Sequence, residues 1–254
     1  MDTLVKEYNI EASQCDRFGR LSPQNMLNII QEISDEHTTL CGFGREPLAK
    51  ENAVWVLVSH ELHILRYPEY MEKIRVSVYP KTPRRTLFPR YTAFESEKGE
   101  RLIDAASLWT IMDINTLAMK KLPWVAESMP KNTDKKPPIR YPSSAARLDE
   151  NAEDHVYSPR FSDYDINGHI NNTRCVLWLT DLLGEEVLHF HPIEKLCINY
   201  NKELRGNEDI TLRLAHKDLQ LSLSCIRDGF SHVDLSAALF EDGKDTVSKL
   251  AASR

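Results

Sequence analysis

The apolar and polar positions of this chain run through one order of elements and then run through it again. Residues 3–12 alternate Leu4, Tyr8 and Ile10 with polar neighbours, the period of a half-buried strand. Residues 16–21 read as a turn. Ser22 and Pro23 read as a helix start, because a serine hydroxyl accepts from the free first-turn amides and proline is tolerated at the first helical position. Met26, Leu27, Ile29, Ile30, Ile33, His37 and Leu40 then recur at helical spacing until Gly42, and residues 43–50 read as a loop. Strand patterns follow at 53–65 and 74–79, and two more at 90–97 and 102–114 flank a hairpin signal at Gly99. Residues 119–147 break the periodicity with Pro123, Pro130, Pro137, Pro138 and Pro142 among many charges. They predict an extended, unpacked linker, placed at 131–150 between domains at 1–130 and 151–254. The second half restarts with a strand at 155–161, a polar turn and an apolar helix at 173–183. Strands follow at 193–200, 209–216, 219–227 and 232–241, with Asp228–Gly229 turning a hairpin.

The repetition extends to individual residues. At a constant offset of 149 residues, Asp16 falls on Asp165, Gly19 on Gly168, Leu21 on Ile170 and Ser22 on Asn171. Leu27, Ile30 and Ile33 fall on Val176, Leu179 and Leu182 without a gap. A match through a turn and the helix after it implies a duplicated supersecondary unit. A helix that is apolar on most sides must be wrapped by other elements. The expected fold class is therefore α+β, each half a curved antiparallel sheet around one long helix, with the halves paired edge to edge.

The copies differ in their chemistry. Residues 163–172 read DYDINGHINN, so His169 stands where the first copy has Arg20, and Asn167 where it has Phe18. An imidazole changes charge near neutral pH and a guanidinium does not. His169 is a candidate general base or a hydrogen-bonded cap. Asp165 is a candidate to orient the imidazole, to attack an acyl carbon, or simply to close an Asx turn. Asn167 can hold water or a carbonyl oxygen, and Asn171 and Asn172 read as caps. Glu203, at a strand end beside Gly206, either polarises water next to His169 or is an ordinary surface carboxylate.

No metal site is expected, because His169 has no second histidine at ligand spacing; His189 and His191 read as surface-loop residues. There is no P-loop, no dinucleotide fingerprint and no G-x-S-x-G elbow, and no cofactor is expected. The 254 residues are 41% hydrophobic and 28% charged with net charge −6, which argues against a general nucleic-acid binder. Residues 81–85 and 131–136 are locally basic and read as solvated loops or docking patches. Five cysteines without a C-x-x-C pair point to reduced thiols. No apolar run reaches the roughly eighteen residues of a membrane span, and no signal-like amino end is seen, so a cytoplasmic location is expected.

Three segments together resemble one family. Residues 27–32 (LNIIQE) with Gly42-Phe43-Gly44, residues 107–112 (SLWTIM) with Lys120-Lys121-Leu122-Pro123, and residues 162–172 (SDYDINGHINN) are similar to the acyl-acyl-carrier-protein thioesterases, the plant plastid enzymes and their bacterial relatives. The resemblance covers nearly the whole chain, and the amino end suits a bacterial member. It implies a double hotdog that hydrolyses the thioester of a fatty acyl chain on acyl carrier protein. The family's catalytic Asp, Asn and His fall on Asp165, Asn167 and His169. Its catalytic Glu, in a Y-R-R-E-C context, falls on Glu203. The cysteine of that context is Leu204 here, which excludes a thiolate nucleophile at that position.

The resemblance also places the acyl chain in the first half against Met26, Ile29, Ile30 and Ile33. It implies carrier-protein docking, for which Lys81, Arg84 and Arg85 are the basic candidates. The expected mechanism is water attack assisted by Glu203 and His169, with amides at the start of the 173–183 helix holding the oxyanion; direct attack by Asp165 stays open. A monomer or homodimer is expected, since the repeat supplies its own pair. An acyl-CoA thioesterase is the nearest alternative, followed by a hotdog hydratase or dehydratase and a non-catalytic acyl-binding module.

Overall fold

A computed structural model describes residues 1–241. The first half runs β1 (Leu4–Asn9), α1 (Pro23–Leu40), α2 (Arg45–Ala49), β2 (Ala53–Ile64), β3 (Lys73–Pro80), β4 (Leu87–Ser96), β5 (Arg101–Asp113) and α3 (Pro123–Ser128). The second runs β6 (Glu153–Tyr157), α4 (Arg174–Phe190), β7 (Ile193–Tyr200), β8 (Ile210–Lys217), β9 (Gln220–Arg227) and β10 (Phe230–Leu239). All ten strands form one antiparallel sheet in the order β1-β3-β4-β5-β2-β7-β10-β9-β8-β6. The order is symmetric about its centre. The seam is β2 on β7, with Ser59 opposite Asn199 and His63 opposite Lys195.

Local chemistry accounts for the long helices. Ser22 caps α1 by accepting from the Asn25 amide, and Pro23 occupies the first helical position. Met26, Leu27, Ile29, Ile30 and Ile33 of α1 join Val76, Val78, Phe94 and Ala105 of the sheet in the main core, with Val176, Trp178 and Leu179 of α4. Burying five such side chains contributes on the order of 10 kcal/mol before entropy is charged against it. α4 is interrupted at Gly184, whose φ of 73° takes the chain out of helical geometry, close to the end expected at residue 183.

Three expectations are corrected. Residues 43–50 are not all loop, because Arg45–Ala49 closes a helical turn that buries Leu48. Within 119–147, Pro123 starts α3 and Val125 is buried with Phe43, Phe88 and Ile111 in a second apolar cluster. His189 and His191 lie at the end of α4, not in a surface loop. The His189 ring meets Phe18 edge-on at 5.0 Å, and His191 Nδ1 is hydrogen-bonded to the Phe240 carbonyl at 3.0 Å.

The linker is extended as expected, yet it is packed along its length. It crosses the face of the sheet opposite the helices, strand by strand. Ile139 packs on Tyr79, Tyr91 and Ala106; Val78 and Ala105, just before the first and last of these, point the other way into the main core. Glu61 accepts from the Ser143 amide and hydroxyl, both at 2.6 Å. The Ala145 amide donates to Asn199, the Ala146 amide to Ser236 and the Leu148 amide to Ser222. Asp234 takes both arms of Arg147 at 3.0 and 2.7 Å, and also accepts from Ser224, Ser231 and Asn201. Burial alone would raise the Glu61 and Asp234 carboxyls, but these donors, with His63 and Lys195 at Glu61, outweigh it and hold both below the usual range.

Both folded values lie below the unfolded ones, so this stability is present above about pH 5 and is lost as pH falls further. Glu61→Gln is expected to lose about 1–3 kcal/mol at neutral pH, and to show a shallower loss on acidification than the parent. Urea unfolding at a series of pH values measures both; an unchanged acid slope refutes the assignment.

Candidate active site

The polar turn is built by aspartates. Asp163 is buried and accepts from the Arg160 amide and the Tyr157 hydroxyl, each at 2.7 Å, while its carbonyl accepts from the Asn171 amide at 2.8 Å. Two residues on, Asp165 Oδ1 accepts from the Asn167 amide at 2.8 Å and the His169 amide at 3.1 Å. The Asp165 amide donates to the His169 carbonyl at 2.8 Å, which closes the loop. Gly168 sits at φ 73°, a conformation that glycine adopts without the Cβ penalty. The result is an Asx-type turn that presents His169 at the mouth of α4.

Glu203 reaches the same place from the end of β7. The Ile170 amide donates to the Leu204 carbonyl at 2.9 Å, so the residues after His169 and Glu203 are tied by backbone. His169 Nε2 then lies 3.5 Å from Glu203 Oε2, a charge contact slightly longer than a hydrogen bond. The imidazole is mostly covered, with its side chain 18% exposed, and the carboxylate is 43% exposed. Arg205 grips that same Oε2 through Nε at 3.1 Å and Nη2 at 2.7 Å. His232 Nδ1 donates to the Glu203 carbonyl at 3.1 Å, and burial lowers its pKa and keeps the ring neutral. The Tyr200 hydroxyl and the Cys175 thiol both donate to the Asn172 carbonyl, at 3.1 and 3.3 Å. Burial pushes the Tyr200 phenol well up and the Cys175 thiol to about 12, so both stay protonated.

The structure thus brings Asp165, Asn167, His169 and Glu203 together. Asn167 is exposed, its side-chain amide 3.4 Å from Asp165 Oδ2. Arg205 and His232 were missed. Arg205 had a signal, since side chains two apart in an extended segment share a side. His232 had none, because the bulge between Ser231 and Val233 places it.

Asn171 takes the Thr173 amide on its side chain and the Arg174 amide on its carbonyl, both at 2.9 Å. Those two helix-start amides are therefore committed and do not form an oxyanion hole. Met26, Ile29, Ile30 and Ile33 are at most 2% exposed, in the same apolar cluster as Ile170 and Leu204. Of the basic trio, Lys81 is occupied, donating to the carbonyls of Asn132 and Lys135 at 2.7 and 2.6 Å; it anchors the linker. Arg84 and Arg85 are exposed, with Arg84 stacked 4.9 Å over Tyr141.

The first-half copy has the same turn and a different use. Asp16 Oδ1 accepts from the Phe18 and Arg20 amides at 2.9 and 3.0 Å, and Gly19 sits at φ 78°. The Leu21 amide donates to the Pro68 carbonyl, as Ile170 does to Leu204, so Tyr67 answers Glu203. Arg20 stacks 5.2 Å over Tyr67 and donates to the Leu188 carbonyl at 2.9 Å, and the Tyr67 hydroxyl donates to the Ile193 carbonyl at 2.8 Å. This copy clasps the other half.

The fold and the sequence both have known counterparts. The fold is hotdog-like: 94% of the chain superposes on an acyl-ACP thioesterase from Bacteroides thetaiotaomicron, covering 98% of it, with TM-score 0.86 at 20% identity. The 12:0-ACP thioesterase from Umbellularia californica superposes with TM-score 0.82 at 17% identity, over 94% of this chain and 97% of that one. Residues 2–128 match the acyl-ACP thioesterase N-terminal domain and residues 146–234 the acyl-ACP thioesterase C-terminal domain. The chain belongs to the acyl-ACP thioesterase family. It is 29% identical over 196 residues to the chloroplastic acyl-[acyl-carrier-protein] hydrolase FATB3 of Cuphea viscosissima, covering 72% of this chain and 48% of that protein. It is 26% identical over 212 residues to the chloroplastic palmitoyl-acyl carrier protein thioesterase of Gossypium hirsutum, covering 78% of this chain and 50% of that protein. The chain spans about half the length of the curated relatives it matches.

The twin turns provide an internal control. Asp16→Ala and Asp165→Ala are each expected to lower stability by about 1–2 kcal/mol through two lost amide bonds. If the chain hydrolyses a thioester, that activity is expected to survive in Asp16→Ala and to fall at least about a hundredfold in Asp165→Ala. Equal activity losses in folded variants would show that the turn acts only as scaffold.

Proposed function

We propose that the chain hydrolyses the thioester of a fatty acyl group carried on acyl carrier protein, releasing the free fatty acid and ending chain elongation. The observation that carries this reading is the His169–Glu203 pair at 3.5 Å, held at a rigid turn in a chain of this family. Glu203 and His169 together activate a water on the thioester carbon. Asp165 orients, because its Oδ1 is spent on two backbone amides, as it is in the twin that has no imidazole. Asn167, whose amide is exposed, is the donor for the developing oxyanion. Arg205 fixes the carboxylate. Cys175 takes no part, since its buried thiol stays protonated.

In this reading the architecture is a tandem hotdog, each half-sheet wrapped around its own helix. The symmetric strand order and the packing of α1 on β1 and β3 support it. Residues 1–130 hold the acyl chain along Met26, Ile29, Ile30 and Ile33, residues 131–150 tie the halves, and residues 151–254, of which 242–254 lie outside the described residues, carry the chemistry. Arg84 and Arg85 remain the candidates for docking the acidic carrier, and no cofactor enters. Five free thiols suit a reducing cytoplasm. No helix among the described residues is long and apolar enough to cross a membrane.

The test is release of free thiol and fatty acid from acyl carrier protein thioesters, with the matching acyl-CoA in parallel. His169→Ala and Glu203→Gln are each expected to lower kcat by about 10²–10⁴-fold, while Cys175→Ser keeps activity. Faster turnover of the CoA thioester transfers the reading to an acyl-CoA thioesterase. Product formation without thiol release transfers it to a hydratase.

A further inference from the structure

The interface between α1 and the sheet is apolar along most of its length, with Ile30, Ile33, Phe94 and Ala105 on its two sides. One strip breaks the pattern. Arg90, on the inward side of β4, is 3% exposed, and its guanidinium donates to His37 Nδ1 of α1 at 2.9 Å. No carboxylate of the described residues forms an ion pair with it. Burial pushes Arg90 down to about 10, which leaves it cationic at neutral pH. Burial, and then the neighbouring Arg90, push His37 down to about 4, so the imidazole is neutral and offsets no charge. Asp35 and Cys41 act on Arg90 only at a distance and do not offset its burial, and a buried cation that no carboxylate touches costs several kcal/mol.

Two further groups of the strip lack partners. Ser34 and Thr92 are 2% and 1% exposed, and neither hydroxyl oxygen has a hydrogen-bond partner. Ser34 lies one helical turn before His37, and Thr92 shares the inward face of β4 with Arg90. The strip also connects to the candidate active site. Arg90 stands opposite Ser107 in the β4–β5 register. Ser107 is hydrogen-bonded to His60 at 2.9 Å, and the His60 ring lies 6.1 Å from that of Tyr200, whose hydroxyl holds the Asn172 carbonyl. From β7 to β4 is three strand spacings, about 14 Å.

We propose that this strip is a polar subsite for acyl chains bearing a hydroxyl or keto oxygen, with Arg90 the residue that recognises the oxygen. The inference rests on the thioester-hydrolase reading above. A saturated chain laid along α1 covers a guanidinium and two hydroxyls and bonds none of them. An oxygen on the chain accepts from Arg90, and a hydroxyl also donates to Ser34 or Thr92. Selection of this kind is strong, because the wrong substrate leaves buried polar groups unpaired.

Carrier-protein thioesters of one chain length test it: saturated, β-hydroxy, β-keto and hydroxylated at mid-chain. At least one oxygenated thioester is expected to exceed the saturated one in kcat/KM by about tenfold, the effect of one hydrogen bond to a charged group. Arg90→Met and the near-isosteric Thr92→Val are expected to bring that ratio toward one while melting curves show a retained fold. The proposal is overturned if the parent prefers the saturated chain to every oxygenated one. It is also overturned if both variants slow all substrates by the same factor, the result for ordered water filling the strip. If no thioester is hydrolysed, the functional reading fails instead. Calorimetric binding of the matching free acids then decides the subsite: equal affinity for plain and hydroxylated acid refutes it, and tighter binding of the hydroxylated acid, lost in Arg90→Met, upholds it.

Discussion

A carboxylate oxygen shared between two backbone amides sets the geometry of both ends of this molecule. Asp165 holds the amides of Asn167 and His169, and Asp16 holds those of Phe18 and Arg20. Each bond contributes about 1 kcal/mol net, which is modest, but each fixes a torsion immediately beside a functional side chain. The turn hands the next residue to the sheet, through Ile170 to Leu204 and through Leu21 to Pro68. Whatever follows the aspartate by four residues must therefore face whatever precedes that carbonyl. His169 faces Glu203, and Arg20 faces Tyr67, from one constraint used twice.

Duplication left two equivalent positions, and the side chains separate their roles. Arg20 and Tyr67 reach across to Leu188 and Ile193 and bind the halves together. His169 stays mostly covered while Glu203 is open to solvent, and Arg205 holds the same carboxylate oxygen that faces the imidazole. The central β2–β7 seam and the extended segment on the opposite face supply the rest of the rigidity. A site at a seam needs such bracing, because an error of about 1 Å between acid and base is costly in rate.

Much of this was legible in the sequence, for physical reasons that differ by feature. Ser22–Pro23 announced α1 because capping is local, and the match of Asp16–Gly19–Leu21 to Asp165–Gly168–Ile170 announced a repeated turn because a positive-φ glycine leaves a mark. The strand order was not legible, since nothing local says that β1 joins β3 and not β2. The packing of residues 131–150 was hidden as well. Proline-rich composition predicts extension, but the bonds from Glu61 to Ser143 and from Asp234 to Arg147 span more than eighty residues. Glu203 was legible only as a strand-end candidate until the family resemblance singled it out, because its link to His169 depends on a backbone bond between distant segments. Arg90 gave no signal, since on β4 it alternates as any surface arginine does.

The central claim is that His169 and Glu203 act as one unit, and a double-mutant cycle on kcat tests it most directly. If the pair is a unit, His169→Ala combined with Glu203→Gln lies within about threefold of the worse single variant, because removing either partner already removes the function. If the two losses multiply, the residues act independently and the account of the site is wrong.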